Sequence, residues 1–194
     1  MKARDVTGLI LAGGESRRFG SDKALHLVDG RPMIEHVYNV VTGVVGDVFI
    51  SVSDPSVNTG LPAEHLPDLH PDAGPLAGMH AGLLRCRSPW LLAAACDMPF
   101  LTADTLGRLL AARTGTMGPV VACSSNGRLH PLCALYPRDM LTYVEAALKA
   151  NRFALHALLE RASFVTEVDV PANAVRNINR PQDLTAPKQY DEHE

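Results

Sequence analysis

The chain has 194 residues, of which 46% are hydrophobic and 20% charged, with a formal net charge of -3. That composition supplies the apolar material for the core of one compact domain and leaves little room for a second. It also excludes a general basic surface for nucleic acid, because such binding neutralises many phosphates at once; a phosphate ligand has to be met locally.

Along the chain, apolar runs alternate with helical patterns, as in a parallel sheet covered by helices. Strands are predicted at 6–12, 47–52, 90–96, 119–123, 131–136 and 164–169. Between the first two, "PMIEHVYNVV" puts Met33, Val37, Val40 and Val41 on one helical face, with Pro32 suited to a first-turn position. "GPLAGMHAGLLRC" and "TADTLGRLLAAR" read as helices on either side of the third strand, the latter capped by Thr102. The later half is less regular: a strand at "HPLCALY", a helix opened by Pro137 in "PRDMLTYVEAALKA", another at "ALHALLER" and the strand "FVTEVDV". The fold expected is α/β, a single-domain three-layer α/β/α arrangement with a mostly parallel, Rossmann-like sheet and a mixed C-terminal edge. It spans residues 1–186, and the polar, unpatterned residues 187–194 form a flexible tail.

Cys86, Cys96, Cys123 and Cys133 form no CxxC pair and sit in apolar stretches, so they are expected as reduced core residues. No basic start followed by a long apolar segment opens the chain, and no window approaches the roughly 20 apolar residues of a membrane span. A soluble, cytoplasmic protein is expected.

Three stretches carry chemistry. In "LILAGGESRRFGSDKAL" a buried strand runs into Gly13 and Gly14, whose backbones reach conformations closed to other residues, and then into Arg17, Arg18 and Lys23. Exposed N–H groups ringed by fixed positive charge suit phosphate oxygens. The loop has no GK[ST] and does not fit GxGxxG, so it is neither a Walker A loop nor a dinucleotide fingerprint. In "WLLAAACDMPFL" an apolar run leads directly to Asp97, which places an acid where open α/β sheets bind ligands. One carboxylate with substrate phosphates is a sufficient Mg2+ site; the competing role, a helix cap, falls better to Thr102. In "LPDLHPDAGPLAGMHAGL" Asp68 and Asp72 precede Gly74 and Gly78, and either acid could accept hydrogen bonds from a base edge or ribose hydroxyls or simply form a turn.

"LILAGGESRRFGSDKAL", "PDLHPDAGPLAG", "ACDMPFL", "HPLCALY" and "NINRPQDL" occur in the order and approximate spacing of the molybdenum cofactor guanylyltransferases, the MobA family, and the chain resembles that family as far as about Leu184. The first motif is shared with cytidylyltransferases and sugar-nucleotide synthases; its double glycine, with "GPLAG" and "HPLCALY", carries the narrower likeness. The resemblance implies transfer of GMP from GTP to molybdenum-loaded molybdopterin with release of pyrophosphate. It implies that Leu11, Ala12, Gly13 and Gly14 contact the nucleotide through their backbone, that Lys23 binds phosphate, that Asp68 helps select guanine and that Asp97 holds Mg2+. Arg17 or Arg18 would add charge neutralisation as pyrophosphate leaves. Transient contact with proteins that deliver the cofactor or receive it is implied as well. The alternatives are a relative that uses CTP or another phosphate acceptor, and a nucleotide-binding adaptor without catalysis.

Three positions depart from the family pattern. Ser51 stands where an Asn often helps to bind the nucleotide, Phe19 where Met is common, and Arg180 where a Thr would cap the helix begun by Pro181. Asn177 and Asn179 are second-rank metal or pterin-phosphate residues whose competing role is an ordinary turn. A phosphate nucleophile needs no general base, so His130 is expected to be structural or, with Arg128, to line the pterin side.

Overall fold

The computed structural model describes residues 2–13, 23–54, 56–162 and 164–184. Side-chain alternation decides its layering. In β1 (Val6–Leu11), Val6 and Ile10 join the core on one face of the sheet and Leu9 and Leu11 the core on the other. β6 (Trp90–Ala95) repeats the pattern, with Leu92 and Ala94 against Leu91 and Ala93, as the period of two in an extended backbone requires. A sheet that is apolar on both faces has to be covered on both. α1 (Met33–Val44) and α3 (Ala103–Ala112) cover the first face; α2 (Pro75–Arg85), α4 (Met140–Lys149) and α5 (Leu155–Glu160) cover the second. The three-layer α/β/α expectation holds.

The sheet has seven strands in the order β5 (Glu64–Pro67), β4 (Val48–Val52), β1, β6, β8 (Leu129–Pro137), β7 (Val120–Ser124), β9 (Thr166–Val170). Every neighbouring pair is parallel except the two that β8 makes, antiparallel to β6 and to β7. The mixed edge expected from the irregular later half is therefore one reversed strand inserted between two forward ones. β8 carries Pro131, which has no N–H for the ladder, and the β7–β8 register slips there: Ala122 faces His130 but Val121 faces Ala134. The carbonyl of Pro131 instead accepts a 2.7 Å hydrogen bond from the buried Tyr136 hydroxyl.

Two elements have no counterpart in the sequence expectations. β5 is short, half polar and ends in Pro67, features that belong to an edge strand, and it pairs only with β4. A separate hairpin, β2 (Leu27–Val28) with β3 (Arg31–Pro32), turns through Asp29 and Gly30, both at positive φ. A third difference concerns Pro137, expected to open a helix. It ends β8 opposite Trp90, the next residue donates its N–H to the Pro89 carbonyl at 2.9 Å, and α4 begins at Met140.

α2 is buried from Leu76 to Leu83, because the sheet lies on one side and α4 on the other. It lies unusually close to the sheet: a Cβ on Gly82 would stand 2.6 Å from Leu9 Cδ2. All four cysteines are free and buried, and complete burial pushes the Cys133 thiol up to about 12, far from thiolate chemistry. Among the described residues no helix is long and apolar enough to cross a membrane.

Thr102 caps α3 as expected, its side chain accepting from the Thr105 N–H at 3.2 Å. Thr102→Ala should cost about 1 kcal/mol of stability, seen as a lower urea midpoint with an unchanged slope.

Candidate active site at the carboxyl ends of the strands

Four parallel strands end side by side, and main-chain hydrogen bonds carry the ladder just past them. Asp68 N–H donates to the Val52 carbonyl at 3.1 Å, Ala12 N–H to the Ser51 carbonyl at 2.9 Å and Cys96 N–H to the Leu11 carbonyl at 3.1 Å. These bonds line up Asp68 after β5, Ser51 to Ser53 at the end of β4, Leu11 to Gly13 at the end of β1 and Asp97 after β6. An edge of this kind is where open α/β sheets hold ligands. The first main-chain groups beyond the ladder on β1 are the Ala12 carbonyl and the Gly13 amide.

Asp68 is the acid that this edge organises. Its Oδ1 accepts a 2.9 Å hydrogen bond from the Ser51 hydroxyl, and Ser51 is itself 1% exposed. Burial pushes the Asp68 carboxyl above the ordinary aspartate range, against the opposing pull of the Ser51 hydroxyl. A Cβ on Gly13 would lie 3.2 Å from Asp68 Oδ2 and 3.3 Å from the Ser53 amide, so glycine lets the β1 elbow come down against the acid. On the other side of the pair, Gly78 of α2 leaves room for the Ser51 and Leu11 side chains. Asp72, the other acid of the same stretch, is exposed at φ 66 in a turn, the role of a turn former. The sequence alone left the two equivalent.

Asp97 is half-buried directly after β6, and its carbonyl accepts the Ile178 N–H at 2.9 Å. That bond ties the segment holding Asn177 and Asn179 to the same edge. Among the described residues no group of three or more His, Cys, Asp or Glu is placed to hold a metal ion by itself. A half-buried acid at a ligand edge fits a cation that shares its coordination with substrate phosphates. Lys23 begins a 3-10 turn, Lys23–Leu25, that packs against α1 through the buried Ala24. Gly14, Arg17, Arg18 and Phe19 lie outside the described residues, as does the tail 187–194.

Beyond Asp97 the edge continues through the reversed strand. β8 starts here with Leu129 and His130, and the His130 Nε2 is 3.0 Å from the buried Ser124 hydroxyl at the end of β7. Burial lowers the His130 pKa, and the Arg128 and His156 charges lower it further, so the ring is held neutral.

Residues 8–172 match the MobA-like NTP transferase domain. The chain belongs to the MobA-like NTP transferase family. It is 35% identical over 187 residues to a molybdenum cofactor guanylyltransferase from Desulfosudis oleivorans, covering 92% of each chain. To the molybdenum cofactor guanylyltransferase of Cupriavidus taiwanensis it is 35% identical over 193 residues, covering 94% of this chain and 96% of that one. The crystal structure of molybdopterin-guanine dinucleotide biosynthesis protein A from Archaeoglobus fulgidus superposes with a TM-score of 0.75 at 25% identity, over 92% of this chain and 95% of that one. The fold alone is shared with 2-C-methyl-D-erythritol 4-phosphate cytidylyltransferase from Thermus thermophilus, at a TM-score of 0.71 and 18% identity over 95% and 96% of the two chains.

Within this MobA-like frame two features escaped the sequence reading. One is Arg176, whose guanidinium stands 4.8 Å over the Phe100 ring, with its Nε buried and without a hydrogen-bond partner. It lies two residues before the Ile178 that binds Asp97, a proximity between distant segments that no local pattern signals. The other is Asp183. Its Oδ2 accepts the Asn179 and Arg180 N–H groups at 2.7 and 2.8 Å, so the 3-10 turn Pro181–Leu184 is capped from within by an acid and needs no capping side chain at position 180.

The raised pKa of Asp68 has a consequence for stability. The folded chain holds this proton more tightly than the unfolded one, so ionisation disfavours folding once the pH rises above the unfolded value of about 3.9. Asp68→Asn keeps an acceptor for Ser51 and removes the charge. In thermal melts without nucleotide it should raise the midpoint at neutral pH, with an advantage that shrinks as the pH falls through the raised folded-state value and is gone below about 4.

Proposed function

We propose that this chain transfers GMP from GTP to molybdenum-loaded molybdopterin, releasing pyrophosphate, with Mg2+ held by Asp97 and the substrate phosphates. The observation that carries the reading is the shared edge of four parallel strands, where the Gly13, Ser51 and Asp68 cluster stands at one end and Asp97 at the other. Relatives named molybdenum cofactor guanylyltransferase that align over more than nine-tenths of the chain support it.

The chemistry asks for little covalent work. An oxygen of the pterin's terminal phosphate attacks the α-phosphorus of GTP, and the bond from that phosphorus to the bridging oxygen of pyrophosphate breaks. The nucleophile is already an anion, so the barrier lies in bringing two anions together and in the charge that accumulates on the leaving group. When bound, Mg2+ would supply charge neutralisation at the phosphates from its place on Asp97. Lys23, with Arg17 or Arg18, answers the same need from the loop after β1. The backbone of Leu11 to Gly14 positions the nucleotide, with Ser51 beside it. Asp68, half-buried and anchored by Ser51, accepts hydrogen bonds from the guanine N–H groups, which cytosine and adenine cannot reproduce in the same pattern. His130 and Arg128 line the acceptor side, and a neutral imidazole suits that place because no base is required. The two substrates are small molecules and the setting is the cytoplasm.

Pyrophosphate release by purified protein with Mg2+, molybdenum-loaded molybdopterin and GTP, CTP or ATP in parallel is the direct test. Release with GTP alone is expected; release with CTP would overturn the base assignment, and no release with any of them would overturn the reaction. Asp97→Ala should abolish transfer while far-UV dichroism and the thermal midpoint are retained. Lys23→Ala should lower the rate by about 10²- to 10³-fold, the scale for losing one donor to developing charge.

A further inference from the structure

His80 sits in the buried stretch of α2, is 7% exposed, and its Nδ1 has no hydrogen-bond partner. A buried imidazole in that condition costs free energy that a leucine of similar size would not. Its surroundings give it a task. The ring of His70, from the loop that follows Asp68, meets it edge to face with centroids 4.8 Å apart and planes at 65°. Glu145 of α4 brings Oε1 to 4.0 Å from Nε2.

The loop needs such a fastening. Asp68 is tied at its amide and its carboxylate, but Leu69, His70, Pro71 and Asp72 are all exposed, and Asp72 and Gly74 have positive φ. Among the described residues no side-chain hydrogen bond or ion pair holds 69–74. Ala73, buried in the core beside α2, anchors the end of the loop, and its N–H donates to the His70 carbonyl at 3.3 Å; ahead of it, the His70 ring on His80 is the side-chain contact that ties the loop to the helix layer.

We infer that His70 and His80 are a positioning pair for base selection: the buried ring on α2 holds the loop ring edge-on, and so fixes the carboxylate two residues upstream against the nucleotide. This rests on the assignment of Asp68 to guanine. The pair works with His80 neutral, since a charged ring would be drawn towards Glu145 and away from its edge-to-face seat beside His70. Burial and His70 lower the His80 pKa, and Glu145 raises it by less. From the other elements packed on α2, β5 offers Glu64, which Arg85 of α2 engages at 2.8 Å, while β1 and β4 meet the helix through Leu9, Leu11 and Ser51. Because the folded-state value is depressed, the attachment is intact above the ordinary imidazole range and is lost as the pH falls through that lower value.

The test is steady-state kinetics with GTP and with ITP, which lacks the 2-amino group, for wild type, His70→Ala, His80→Phe and Asp68→Asn. His70→Ala, at an exposed position, should keep the thermal midpoint and kcat, raise the KM for GTP by about three- to tenfold and reduce the preference for GTP over ITP. His80→Phe keeps an aromatic partner without a titrating nitrogen. It should retain the wild-type KM at neutral pH and show a smaller rise in KM in acid than wild type. A His70→Ala enzyme with unchanged KM and preference overturns the pair, as does a His80→Phe enzyme with the full acid rise. If Asp68→Asn alters the preference while His70→Ala does not, only the pair fails; if Asp68→Asn leaves it unaltered, the base assignment fails first and the pair with it.

Discussion

Everything at the active edge depends on the register of β1 between β4 and β6. Leu11 pairs with Ser51 on one side and with Ala95 on the other, and the next main-chain groups continue the ladder to Ala12 and Cys96. A slip of one residue in β1 would exchange its two apolar faces, sending Leu9 and Leu11 into the core of α1 and α3 and Ile10 towards α2. The same slip would take the Gly13 elbow away from Asp68. Core packing and site geometry are therefore one constraint, enforced by the apolar run that ends at Ala12.

Close approach is the second half of that constraint. Gly78 and Gly82 let α2 press on Leu9, Leu11 and Ser51, and this leaves Ser51 almost without exposure. A hydroxyl so confined has few rotamers to choose among, so its bond to Asp68 costs little further ordering. A serine at position 51 is intelligible in these terms: the position serves to hold an acid.

Legibility from the sequence follows physical range. β1 and β6 were readable because a strand buried on both faces is a continuous apolar run, and α1, α2 and α3 because their periodicity and caps are local. β5 was not, since an edge strand paired on one side needs no apolar pattern and Pro67 argues against one. Pro137 misled because a proline suits a helix start and a strand end equally well. In the site, Gly13 and Asp97 stood out as residue types at strand ends, whereas Asp68 was set apart from Asp72 only by the family resemblance, and its bond to Ser51 spans 17 positions and exists only because β4 and β5 pair in a particular register. Arg176 over Phe100 and His70 against His80 were hidden for the same reason.

The reversed strand has a further consequence. The half of the edge from β5 to β6 is made by strands locked to one another by parallel pairing, so a change in one is felt in all. The half beyond Asp97 is entered by a hairpin whose turn, Ser125 to Arg128, is exposed and carries Gly127 at φ 75. Exposed turns accept insertion and substitution at small cost to the sheet. The edge can thus be altered at this turn while the parallel strands and the elbow after β1 stay as they are.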